Sequence, residues 1–189
     1  MFSEGMVIHI DIDTLHIVHY CHPTCVPFKN ICRLPRAESF KLAHELAEKD
    51  SESGSASRYI DFDKYYPIRK KVDKHLYDTF ISLGGKPKET NPIYFVLHGS
   101  KSLEAYMGKW NAYRLLLSDI PSDVISFTLD DSIVSFKKHN SFTMYTKEII
   151  SQTLREYEGT IDEFMGELTK KHYCIEAQLW NDDYCTVLK

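Results

Sequence analysis

Ile93-Tyr94-Phe95-Val96-Leu97-His98-Gly99-Ser100 is a near-continuous apolar run that stops at a glycine. A strand with one wet face alternates apolar and polar residues. This run does not, so it is predicted as a strand buried on both faces, with other elements packed above and below it. The preceding segment reads as a helix. Ile68, Val72, Leu76 and Phe80 recur every four residues, with Tyr65 and Leu83 nearby, which predicts a helix over 65–83. Pro67 suits its first turn, where a missing N–H costs nothing, and Gly84-Gly85 suits its C-terminal cap. Pro87 and Pro92 bracket a turn into the strand.

Toward the N-terminus, Val7 to Asp13 alternates, with Ile8, Ile10 and Ile12 on one side and His9, Asp11 and Asp13 on the other. That pattern predicts a half-buried strand continuing past residue 14 before an irregular stretch. Residues 36–49 read as a helix with Phe40, Ala43, Leu46 and Ala47 on one face. The serine-rich run at 50–57 holds nothing to bury and is predicted as a mobile loop inside one domain of 1–189. Toward the C-terminus, a short helix is expected at 101–109, strands at 113–117 and 124–128, and helices at 144–157 and 160–171. A terminal hairpin is expected from 173–180 and 184–188 around Asn181-Asp182-Asp183. Strands and helices do not alternate strictly. An α+β fold is therefore expected, a mixed and largely antiparallel sheet with about five helices packed beside it.

Composition narrows the function classes. The 189 residues carry 23 basic and 27 acidic side chains, a formal charge of -4, so no broad nucleic-acid binding surface is expected. The chain shows no positively charged, apolar leader and no run near the ~20 apolar residues of a membrane span, so a cytoplasmic protein without a membrane partner is expected. The odd count of 5 cysteines then points to reduced thiols or metal ligands. Aromatics are frequent, with 12 Tyr and 10 Phe, which suits a sheet and tyrosine-lined clefts.

Three constellations could carry chemistry. His9, His16, His19, His22, Cys21, Cys25 and Cys32 crowd the N-terminal region and are zinc-type donors, though the Cys-x3-Cys pair has no second pair at a standard distance. Within it, His9-Ile10-Asp11-Ile12-Asp13 puts two carboxylates on one strand face, a pattern that suits a hard cation such as Mg2+. The third set combines the strand end His98-Gly99-Ser100, the strand Ser126-Phe127-Thr128 and Glu176 on a late strand. A histidine beside a glycine brings ring and backbone near a ligand, and a carboxylate on a buried strand can stabilise an oxocarbenium-like centre. Glu176 also fits a plain alternating strand, with Cys174 and Gln178 on its solvent side.

This third set resembles the signature of the ADP-ribosyltransferase-like superfamily, over about residues 92–188. Those proteins split NAD and move ADP-ribose onto an acceptor. The resemblance implies that His98, Gly99 and Ser100 contact NAD, with His98 at the nicotinamide ribose. It further implies that Ser126 and Thr128 support the cofactor cleft and that Glu176 stabilises the transition state. The pattern departs from the family two residues before Glu176, where Cys174 stands in place of Gln or Glu. The turn Gly84-Gly85-Lys86-Pro87 also resembles one found in bacterial proteins and implies no activity. The sequence thus supports an NAD-using transferase-like or glycohydrolase-like enzyme acting on a nucleotide-type small molecule. Two alternatives stand beside it: a non-catalytic module for a protein partner, of immunity, inhibitor or adaptor type, and a metal enzyme built on the N-terminal cluster.

Overall fold

The computed structural model describes residues 8–49 and 57–185. Its centre is a six-stranded sheet. The strands are β1 (His16–Cys21), β2 (Ile93–Leu97), β3 (Asn111–Leu116), β4 (Ile125–Leu129), β5 (Met144–Thr146) and β6 (Ile175–Leu179). Their order is β3-β1-β2-β6-β4-β5, and every neighbouring pair is antiparallel. Among the described residues seven helices surround the sheet: α1 (Arg36–Lys49), α2 (Ser57–Ile60), α3 (Phe62–Ser82), α4 (Lys101–Met107), α5 (Ser132–His139), α6 (Lys147–Glu156) and α7 (Ile161–Leu168). The expected α+β class is what the chain adopts.

The apolar run at 93–97 is the strand that decides this arrangement. Ile93, Phe95 and Leu97 point into the larger core, with Ile17, Leu115, Ala177, Leu179, Ile125 and Phe127 beside them. Ile150 and Leu154 of α6 and Met165 of α7 close that side. On the opposite face, Val72, Leu76 and Phe80 of α3 pack with Trp180 and with Ile133 of α5. The Phe80 ring stacks on Trp180 at 5.6 Å between centroids. Both faces of the sheet are therefore covered, as the unbroken hydrophobicity of β2 requires.

The second face holds polar groups at its centre. Arg69 and Asp73 stand one turn apart on α3 within its buried stripe and form an ion pair, with the Arg69 side chain 5% and the Asp73 side chain 0% exposed. Asp73 also accepts from the Tyr94 hydroxyl on β2 and, at 2.6 Å, from Asn91 Nδ2. The Arg69 guanidinium lies 4.3 Å from the Tyr94 ring centroid and donates to Ser132 Oγ at 3.2 Å. Burial of the pair is tolerable because Asp73 takes three donors and the guanidinium is met by Asp73, Ser132 and the Tyr94 ring. Four elements are fixed by one carboxylate and one guanidinium: α3, β2, the turn before β2, and the start of α5.

Local chemistry explains where the expected elements shift. Of the alternating segment at 7–13, the described residues 8–13 make no strand beyond an isolated bridge from His9 to Glu158: the Asp11 carboxylate takes the Asp13 N–H at 3.0 Å and pulls Ile12–Thr14 into a 3-10 turn, so β1 begins at His16. The helix expected at 144–157 divides, because Thr146 Oγ1 accepts from the Ile149 N–H and caps α6; the residues before it pair with β4 as β5. The helix around Pro67 starts earlier, at Phe62, which moves Pro67 from the first turn to the second. Asn181 caps a 3-10 turn at Asp182–Tyr184 where a hairpin turn was expected, and the end of that hairpin's second arm, 186–188, lies outside the described residues. So does 50–56 of the serine-rich segment, whose last residue, Ser57, opens α2.

Replacing either member of the buried pair alone strands the other charge. Asp73→Ala is expected to cost about 3–5 kcal/mol of unfolding free energy. The double replacement Arg69→Met with Asp73→Leu is expected to cost less than Asp73→Ala, because no uncompensated charge remains. Urea denaturation at neutral pH, read by tryptophan fluorescence, checks both.

Candidate functional site

Glu176 lies at the middle of β6, paired with Val96 of β2 on one side and Thr128 of β4 on the other. Its face is the one covered by α3 and α5, so the side once readable as solvent-facing is buried, and Glu176 is only 7% exposed. Gln178 lies two residues on along the same face and is fully buried.

A directed chain of hydrogen bonds ends on this carboxyl. Trp180 Nε1 donates to Ser126 Oγ at 2.9 Å, and Ser126 Oγ donates to Gln178 Oε1 at 2.9 Å. Gln178 Nε2 then donates to Glu176 Oε1 at 2.9 Å and to Thr128 Oγ1 at 3.0 Å. The first N–H of α5, from Ser132, reaches the same Glu176 oxygen at 3.4 Å. Oε1 is therefore a double acceptor. When Glu176 is neutral its proton sits on Oε2, the oxygen that no described group binds.

The backbone opens at this point. Each strand flanking Glu176 ends two residues beyond its partner in a non-glycine residue of positive φ, His98 after β2 (60°) and Asp130 after β4 (62°). Such conformations cost on the order of 1 kcal/mol and need support from their surroundings. His98 has it from its N–H to the His16 carbonyl at 2.8 Å, and Asp130 from its N–H to the Cys174 carbonyl at 3.0 Å. The Asp130 carboxylate further accepts from the Tyr173 N–H at 2.6 Å and pairs with His172 Nδ1 at 2.8 Å. Gly99 follows at φ 82°, and a Cβ there would stand 3.3 Å from the Tyr20 hydroxyl. That hydroxyl accepts the Ser100 N–H at 3.1 Å. Gly99 and Ser100 thus bend over the face of the sheet that carries Glu176, and Ser100 caps α4 there.

The charge state of Glu176 follows from these neighbours. Burial pushes its pKa up to about 7, helped by the negative charge of Asp131; Arg69 and the two N–H donors pull the other way. The same burial raises the thiol of Cys174 and the phenol of Tyr94, which suppresses ionisation of both at neutral pH.

The residues that sequence patterns single out are only partly assembled. Ser126, Thr128 and Glu176 share one face and one hydrogen-bond chain, with Ser126 and Thr128 buried inside it. Gly99 and Ser100 approach that face through Tyr20. The His98 side chain does not join them: its Nε2 pairs with Asp162 of α7, on the far side of the sheet, at 3.0 Å. The N-terminal donors disperse as well. His19 is buried between Phe28 and Phe95 with Nδ1 on the Tyr94 carbonyl, while His9, Asp11 and Asp13 are exposed. Among the described residues no group of three or more His, Cys, Asp or Glu is placed to hold a metal ion, and the cysteines are free thiols. The partners that sequence reading missed are Arg69, Asp73, Tyr94 and Ser132. Two charges inside the apolar stripe of a predicted helix were the available signal.

A carboxyl with a folded pKa above its unfolded value of about 4.5 makes stability fall as pH rises, from the unfolded pKa through the folded one. Wild-type protein is thus expected to lose stability relative to Glu176→Gln between pH 4.5 and about 7, and to hold a constant difference above that. Urea melts across this range check it. Asp131→Asn, which removes a like charge, is expected to lower the Glu176 pKa in a carboxyl NMR titration.

No helix among the described residues is long and apolar enough to cross a membrane. No family model matches the chain, and neither a curated protein nor a solved structure proved similar to it.

Proposed function

We propose that the protein is a small enzyme in which Glu176 serves as the acid–base group at a glycosidic centre, an NAD-cleaving glycohydrolase or ADP-ribosyltransferase. The observation that carries this reading is the arrangement of one carboxyl on a buried strand: Oε1 locked by two N–H donors, Oε2 left outside that chain, and a pKa pushed up to about 7. A general base works best when its pKa lies near the working pH. In the reaction envisaged, the bond from the ribose to nicotinamide breaks and its electron pair stays on the departing ring, which leaves neutral. Ionised Glu176 faces the positive charge that develops on the ribose. It then takes the proton of the attacking water or acceptor hydroxyl as the new carbon–oxygen bond forms. The Ser132 N–H holds the carboxylate in register, and Arg69 in turn holds the Ser132 hydroxyl.

NAD is the cofactor this reading requires. Its support is the placement of Gly99 and Ser100 over the same face as Glu176, with Thr128 on the adjoining strand. In this reading His98 is not a cofactor contact: its pairing with Asp162 makes it a brace for the strand end. A protein-binding role has separate support in the surface of α3, taken up below.

Purified protein incubated with NAD is expected to release nicotinamide, and the rate should rise as pH passes through about 7, because the ionised form of Glu176 is the active base. Glu176→Gln should reduce the rate by at least about a hundredfold while its melting temperature at neutral pH stays at or above that of wild type. Release that survives the substitution would remove Glu176 from the chemistry. Absence of release, both alone and with protein or nucleic-acid acceptors supplied, would overturn the NAD assignment.

A further inference from the structure

The outward side of α3 carries Lys70, Lys71, Lys74 and His75, and the last turn of α5 beside it carries Lys137, Lys138 and His139. The protein as a whole is acidic, with a formal charge of -4, so this is a local reversal of sign. It is not a uniform lysine face. His75 lies 4.9 Å from the Phe142 ring and 5.8 Å from the Phe136 ring, and Lys71 Nζ stands 5.2 Å from the Phe136 centroid. Phe136 and Phe142 are only half-buried. An open depression of about 710 Å³ runs over this surface, from Thr90 and Asn91 on one flank of α3 to Phe136 on the other. Two of the lysines are spoken for: Lys74 pairs with Asp78 at 2.7 Å, and Lys70 donates to Asn91 at 2.9 Å. Lys71 and the α5 lysines hold the charge that faces outward.

We infer that this surface docks an acidic segment of a partner protein, one that sets an aromatic or large aliphatic side chain against Phe136 and Phe142. Charge complementarity selects the sign of the partner. The paired phenylalanines select its chemistry, since half-buried rings flanked by cations offer an apolar seat with a positive rim. The net charge of -4 selects its size. Opposite charge beyond the Debye length of about 8–10 Å is screened, so a short segment experiences mainly the patch, whereas a long polyanion also meets the excess of acidic side chains elsewhere on the molecule. The site is separate from Glu176 and stands whether or not that group is catalytic.

The probe is a fluorescein-labelled synthetic peptide of Glu and Asp residues with one central Phe, followed by fluorescence anisotropy. Binding is expected at low salt and should weaken as salt rises. The same peptide with Ser in place of Phe should bind several-fold more weakly. Lys71→Glu combined with Lys74→Glu, both at exposed positions, should weaken binding at least tenfold and leave the melting temperature within a few degrees of wild type. Nicotinamide release, if present, should be unchanged in that variant. The inference fails if the peptide does not bind at low salt, if the charge-reversed variant binds equally well, or if the Phe and Ser peptides are indistinguishable. Tighter binding of an oligothymidine than of the peptide would assign the surface to single-stranded nucleic acid and overturn the proposal.

Discussion

The burial of Arg69 against Asp73 is the constraint from which the rest of the structure follows. A carboxylate in an apolar layer is costly unless its lone pairs are filled, and Asp73 fills them from three elements: Arg69 on its own helix, Tyr94 on β2 and Asn91 in the turn before it. That requirement sets the position of α3 over the sheet. It also explains why Tyr94 interrupts an otherwise apolar strand and why Arg69, with Nε on Asp73, turns Nη2 to Ser132. Arg69 therefore extends the structural ion pair to the start of α5, and the start of α5 supplies the N–H that holds Glu176.

Much of this was legible in the sequence, and the limits are physical. Periodicity found α1 to the residue, and it found the core of α3, β2, β4 and β6, because long apolar patterns are set by burial alone. It failed where a single side chain captures a nearby N–H. Asp11, Thr146 and Asn181 each cap a short turn or helix, and each displaces an element that the hydrophobic pattern alone would extend. The alternation at 7–13 shows the point well. Ile10 and Ile12 are buried, as a strand would have them, yet the chain between them is not paired as one.

The candidate site divides along the same line. Glu176, Ser126 and Thr128 were legible because residues that alternate on neighbouring strands must share a face. That this face is covered was not legible from β6 alone, where an alternating pattern suits water as well as it suits a helix. His98 was misplaced because a positive φ sends its side chain away from the face that strand alternation assigns to it. The missing partners, Arg69 and Asp73, could have been read from α3. A charged pair four residues apart within an apolar stripe has to find polar company on whatever the stripe covers, and the polar residues of the opposing sheet are those of β4 and β6.

That complementarity bears on why Glu176 is a carboxyl at all. The chain from Trp180 through Ser126 and Gln178 would be complete with a glutamine at 176, since Oε1 only accepts. A glutamine would also avoid the burial and the Asp131 charge that lift the pKa to about 7. The acid therefore costs stability near neutral pH that its amide would not. Packing and hydrogen bonding alone therefore do not account for an acid at 176, and a buried carboxyl lifted toward neutral pH is the kind of group that the proposed chemistry needs.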